Sequence, residues 1–153
     1  MEELAPETMP AAAALLGLYL GPDGAADRPA EDLASRLRRF QATPGASILL
    51  ARATGRPVGL LLLAPGASGS TGEPVLHVAA LFVVPEARRR GVGTALLARA
   101  ARIGASLRAH RLELITDAEN TGARRLYAGL GFQWFPRKQV YMRFLPERGP
   151  GRA

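Results

Sequence analysis

At 153 residues and without a single cysteine, the chain has room for one core and offers no disulfide framework, no thiolate nucleophile and no cysteine-held metal. Hydrophobic residues make up 48% and charged residues 22%, the balance of a folded globular protein rather than a disordered one. The net charge of +7 favours anionic partners, but the nineteen arginines and Lys138 are spread along the chain and only 6% of residues are aromatic, which disfavours nucleic acid as the partner.

No apolar run approaches the roughly 20 residues that a membrane helix needs, so no membrane span is expected. The start, "MEELAP", puts two glutamates where a secretory signal carries positive charge, and the cytoplasm is the expected compartment.

In chain order, "PAAAALLGLYL" from Pro10 to Leu20 predicts a first helix, opened by Pro and Ala and stopped by Gly21-Pro22. After a polar, turn-rich segment at 21–30, "EDLASRLRRFQ" predicts a second. Its Leu33, Leu37 and Phe40 recur at helical spacing, and Arg36, Arg38 and Arg39 lie mostly outside. "SILLARA" at 47–53 and "VGLLLLA" at 58–64 predict two strands joined at Gly55-Arg56-Pro57. "PGASGSTGEP" at 65–74 reads as a loop. "VLHVAALFVV" at 75–84 is long and apolar enough for a strand covered on both faces, ended by Pro85.

Beyond it, "PEARRRGVGTALLARAAR" places three arginines and two glycines before a helical pattern, in which Leu96, Leu97, Ala100, Ala101 and Gly104 share a face. "RLELIT" at 111–116 predicts a strand, and Asn120 stands as an N-cap for "TGARRLYAGLG", with Gly131 as terminator. "FQWF" and "VYMRF" predict two final strands around a turn at 136–139. A single domain over 1–146 with a mobile tail at 147–153 is expected.

Strand, glycine-rich loop, helix is an arrangement that aims a helix N-terminus and free backbone N–H groups at an anion, and phosphate is the natural guest. Gly91 and Gly93 remove side chains that would block close approach, and Thr94 can add a hydroxyl donor. A P-loop is excluded because no lysine follows a suitable glycine, and a dinucleotide fingerprint because Leu96 stands where its third glycine belongs.

The stretch resembles the acyl-CoA loop of the GNAT superfamily of N-acetyltransferases, [RQ]-x-x-G-x-[GA], with Arg88, Gly91 and Gly93 in the pattern. A second block, "ENTGARRLYAGLGF", is similar to the family's N-x-x-A-x-x-[LF]-Y-x-x-x-G-F through Asn120, Ala123, Leu126, Tyr127, Gly131 and Phe132. Together the two cover residues 75–135 well.

The resemblance implies an α/β fold in which a mixed, mostly antiparallel sheet of six to seven strands is flanked by about four helices. The sheet would splay between the strands at 75–84 and 111–116 to admit acetyl-CoA as co-substrate. It implies that Arg88, Arg89, Arg90, Gly91, Val92, Gly93 and Thr94 surround the pyrophosphate. Leu81, Phe82 and Val83 would line the pantetheine arm and acetyl group, with the Val83 N–H polarising the acetyl carbonyl.

Tyr127 takes the role of proton donor to the departing thiolate in this comparison. Its place on an apolar stripe with Ala123, Leu126 and Leu130 also fits a packed core tyrosine. Asn120 fits either a plain N-cap or a cofactor contact.

The base departs from the family's pattern. Where many members carry glutamate, four or six residues before the position of Val83, this chain has Ala79 and His77. An even offset puts His77 on the face of Val83, and the ordinary imidazole pKa of about 6.5 suits a base. A packed histidine away from substrate, Glu73, Glu119 and a water chain are the alternatives.

The implied activity is direct transfer of acetyl from CoA to a primary amine, on a small molecule or a protein N-terminus, with no metal and no covalent intermediate. The acceptor side would be formed by the first two helices, their loop and the turn near Trp134. A homodimer is compatible with it. The other classes to be weighed are a regulatory acyl-CoA-binding module, which the missing strand glutamate keeps open, and a small basic nucleic-acid binder.

Overall fold

The structure is a computed structural model and describes residues 1–26 and 32–143. Part of the 21–30 segment and the tail expected at 147–153 lie outside the described residues. Five strands form one sheet in the order β1 (Glu2–Glu3), β2 (Ser47–Ala53), β3 (Arg56–Ala67), β4 (Pro74–Val83), β5 (Arg111–Leu114). The first four pair antiparallel, and β4 pairs parallel with β5. The helices are α1 (Met9–Ala26), α2 (Leu33–Gln41), α3 (Val92–Ser106) and α4 (Thr121–Gly129).

Each face of the sheet has its own core. On one side Ile48, Leu50, Leu60 and Leu62 meet Ala12, Leu15 and Leu16 of α1 and Leu37 of α2. On the other, Leu49, Leu61 and Leu63 meet Leu96, Leu97 and Ala100 of α3. Alternation along β2 and β3 explains the division, since consecutive leucines point to opposite faces and each finds a helix there. β3 is therefore the two-sided strand that "GLLLL" requires. Each fully buried leucine is worth about 2 kcal/mol of transfer free energy.

Most expected elements form where the sequence puts them. α1 carries non-helical dihedrals at Gly21 (φ 64°, ψ −175°), the residue expected to stop it. α2 is capped by Asp32, whose side chain accepts from the Ala34 N–H at 3.1 Å. β3 continues through Pro65 to Ala67, three residues past its expected end. There it pairs with the start of β4, Pro65 opposite Leu76 and Ala67 opposite Pro74.

Among the described residues the sheet has five strands rather than six to seven. Residues 132–143, expected to supply two more, form none among the described residues. Alternating apolar residues make a strand only where their side chains pack against a neighbour; here Trp134 is 73% and Tyr141 88% exposed. No helix among the described residues is long and apolar enough to cross a membrane.

Candidate active site

β4 sets the geometry. Its partnership with β5 covers only Val75 to Val78, ending where Val78 stands opposite Leu114. From Ala80 to Val83 β4 keeps β3 on one side and, among the described residues, has no strand on the other. The Val84 N–H donates to the Val58 carbonyl at 2.9 Å. By alternation Phe82 and Ala80 also turn their polar backbone groups to β3, so those of Leu81 and Val83 face the gap. This is the splay expected between the two strands.

A bulge precedes the gap. Leu63 pairs with Val78 and Leu62 with Ala80, which leaves Ala79 as an extra residue on β4. Such an insertion shifts the alternation by one. Leu76 and Val78 before it, and Leu81 and Val83 after it, consequently all pack on the α3 side, while Ala80 and Phe82 face α1. The even offset from His77 to Val83 therefore puts them on opposite faces, not on the same one as expected. His77 stands opposite Glu113, where the sheet is still paired, with Nδ1 3.2 Å from the Glu113 carboxylate and nearly half its side chain exposed. Glu113 also takes Arg111. Six residues of strand, about 20 Å, separate His77 from Val83.

At the other end of the gap, β4 runs through a single 3-10 turn at Pro85–Ala87 into the arginine–glycine loop. Gly91 caps α3 in the left-handed region (φ 81°) with no side-chain cap, and the first helical bond runs from the Ala95 N–H to the Gly91 carbonyl at 2.9 Å. The N–H groups of Val92, Gly93 and Thr94 thus lack intrahelical acceptors, and their partial positive charge points out of the helix. Arg89 also has positive φ (62°), a strained conformation for a residue with a side chain. The side chains of Arg88, Arg89 and Arg90 are all exposed.

Arg88 bends back toward the strand. Its Nε donates to the Val83 carbonyl at 2.9 Å, and its guanidinium lies 5.9 Å from the centre of the Phe82 ring. It ties the loop to the end of β4.

α4 closes the α3 side. Asn120 is its N-cap, accepting from the Ala123 N–H at 3.1 Å. Gly93 lets the helix approach, since a Cβ there would stand 2.9 Å from Leu126 Cδ2. Tyr127 packs with the α3-side cluster, its ring 5.6 Å from that of Phe132. Burial first, and then the charge of Tyr19, raises its pKa above the ordinary tyrosine value, so the phenol is a proton donor at neutral pH.

Tyr19, which the sequence did not single out, sits on α1 on the other side of the sheet, and its ring meets Phe82 edge-on at 6.3 Å. The structure thus brings together Leu81, Phe82, Val83, Arg88, the uncapped start of α3 and Tyr127, and leaves His77 outside them.

The acetyltransferase (GNAT) family model matches residues 13–132. Mycothiol acetyltransferase of Pseudarthrobacter chlorophenolicus is 33% identical over 101 residues, 66% of this chain and 31% of that protein. Aminoglycoside N(6′)-acetyltransferase type 1 of Salmonella typhimurium is 32% identical over 66 residues, 43% of this chain and 46% of that one. The chain therefore spans less than half the length of these relatives. Among solved structures, AAC(6′)-Iy in complex with the bisubstrate analogue CoA-S-monomethyl-acetylneamine superposes with a TM-score of 0.79 at 21% identity, over 94% of this chain and 97% of that one. The ribosomal-protein-alanine N-acetyltransferase of Brucella melitensis biovar Abortus gives 0.73 at 20% identity, over 94% and 98%. At such identities the superpositions establish the fold.

Proposed function

This chain belongs to the GNAT acetyltransferase family, and we propose that it moves acetyl from acetyl-CoA to a primary amine by direct transfer between the two bound substrates. The observation that carries this reading is the parting of β4 from β5 after Val78 and Leu114, next to the uncapped N-terminus of α3. A strand-like arm with amide groups fits the first feature and a pyrophosphate the second. That AAC(6′)-Iy was crystallised with CoA and with a CoA bisubstrate analogue supports the choice of co-substrate.

In this reading Val92, Gly93 and Thr94 donate backbone N–H groups to the pyrophosphate, and the loop arginines add favourable potential. The Val83 N–H donates to the acetyl carbonyl oxygen, where negative charge grows as the amine nitrogen attacks. As the carbon–sulfur bond breaks, Tyr127 gives its proton to the leaving sulfur. The amine's surplus proton passes to water rather than to His77, which lies about 20 Å of strand away on the other face. Accordingly, His77→Gln should leave the rate–pH profile of amine acetylation unchanged, rising through the acceptor's own pKa. A limb lost in that variant would restore His77 as base.

The primary test is thermal unfolding with acetyl-CoA. A ligand that binds only the folded state at a hundredfold excess over its dissociation constant adds about 2.7 kcal/mol, which corresponds to a Tm rise of several degrees in a domain of this size. ATP and NAD should do little. An unchanged Tm in millimolar acetyl-CoA would sink the reading. Thiol release on mixing acetyl-CoA with a panel of primary amines, neamine and an N-terminal alanine peptide among them, then identifies the acceptor. Tight acetyl-CoA binding without release for any amine would favour the regulatory-module reading.

A further inference from the structure

Tyr19 stands on the last turn of α1 before the break at Gly21, and its position is fixed by the edge-on contact with Phe82. Phe82 lies on the part of β4 that β5 no longer accompanies and faces the α1 side. Tyr127 approaches the same gap from the α3 side. A continuous sheet would put strands between two phenols on opposite faces. Here β5 no longer accompanies β4 beside Phe82, and burial first, then an ionised Tyr19, raises the pKa of Tyr127.

Tyr127 is half-buried in the α3-side cluster. Tyr19 is 43% exposed, and its hydroxyl has no hydrogen-bond partner among the described residues. A tyrosine whose ring is held by an aromatic neighbour while its oxygen bonds no described residue presents a fixed acceptor.

We propose that Tyr19 is an acceptor-positioning residue: its phenol oxygen, held at the α1-side rim of the β4–β5 gap by Phe82, takes a hydrogen bond from an N–H of the amine to be acetylated. This rests on the N-acetyltransferase reading. A primary amine has two N–H bonds and one lone pair, so one N–H can rest on Tyr19 while the lone pair points at the acetyl carbon. A neutral phenol does this without the desolvation cost that a carboxylate would carry in the same narrow gap. It therefore suits a chain that lacks the strand glutamate.

The test compares two ligands by calorimetry, CoA and its S-carboxymethyl methylamide, CoA-S-CH2-CO-NH-CH3. The amide nitrogen of the second occupies the place of the amine nitrogen for any acceptor. Tyr19→Phe keeps the ring and its contact with Phe82. It should leave the Kd of CoA and the Tm unchanged and weaken the amide-bearing ligand by about five- to tenfold, the worth of one neutral hydrogen bond. An unchanged Kd for the amide ligand would overturn the assignment. So would equal losses for both ligands, which would mark Tyr19 as structural. Failure of the wild-type protein to bind CoA at all would instead remove the acetyltransferase reading on which the assignment stands.

Discussion

Gly91→Val is expected to weaken acetyl-CoA binding by tenfold or more. Gly91 adopts φ 81°, where a β-branched residue is a steric outlier and any L side chain costs about 1–2 kcal/mol. A Cβ at this position meets nothing within 4 Å. The fold can therefore hold the variant, and the damage falls on the loop's conformation and on the open side from which an anion approaches. Calorimetric titration of acetyl-CoA measures it, with Gly91→Ala expected between wild type and valine. A folded Gly91→Val protein with the wild-type Kd would take the loop out of the site. Gly93→Val acts differently, since its Cβ would press on Leu126 at 2.9 Å. It should displace α4 and Tyr127 and so lower turnover along with affinity.

Tyr127→Phe is expected to lower kcat by about a hundredfold or more, with the KM for acetyl-CoA nearly unchanged, once an acceptor is in hand. Phenylalanine keeps the ring that packs 5.6 Å from Phe132 and removes only the hydroxyl that carries the proton. Steady-state kinetics under conditions where chemistry limits the rate decide the matter, and full turnover would refute the donor role. The raised pKa adds an independent signature. Burial, the larger cause, and Tyr19 both favour the neutral phenol in the fold. Its contribution to stability is complete below the unfolded value of about 10 and is lost as pH rises through the folded value. In Tyr127→Phe, Tm should therefore fall less steeply above about pH 10 than in wild type.

The parts of the fold that were legible in the sequence are those where local pattern and long-range packing agree. "SILLARA" and "GLLLL" are strands because leucines on both faces find helices, and the Asn120 cap forms as its side chain and the following residues suggest. The loop was legible because Gly91 does take the positive φ that glycine permits. Three features depend on partners distant in sequence. β3 runs on through Pro65 and Gly66 because the start of β4 lies opposite, overriding turn-forming residues. "FQWF" and the described part of "VYMRF" alternate like strands, but most of their large side chains stay exposed, and they pair with no strand among the described residues. Tyr19 is an ordinary exposed tyrosine until Phe82 and Tyr127 are set around it. The side-chain parity around His77 failed for a related reason. Nothing in "HVAALFV" marks which residue is extra, and only the pairing with β3 assigns it to Ala79.

That extra residue acts as a frameshift in a code read two letters at a time. Upstream of Ala79 even-numbered side chains look toward α3, and downstream odd-numbered ones do. A role carried from any relative onto Val75 to Val78 has to be counted from the hairpin with β3, and one carried onto Leu81 to Val83 from the arginine–glycine loop. Counting straight through from either end swaps the two surfaces of the sheet and assigns acceptor-side chemistry to residues that face the opposite layer.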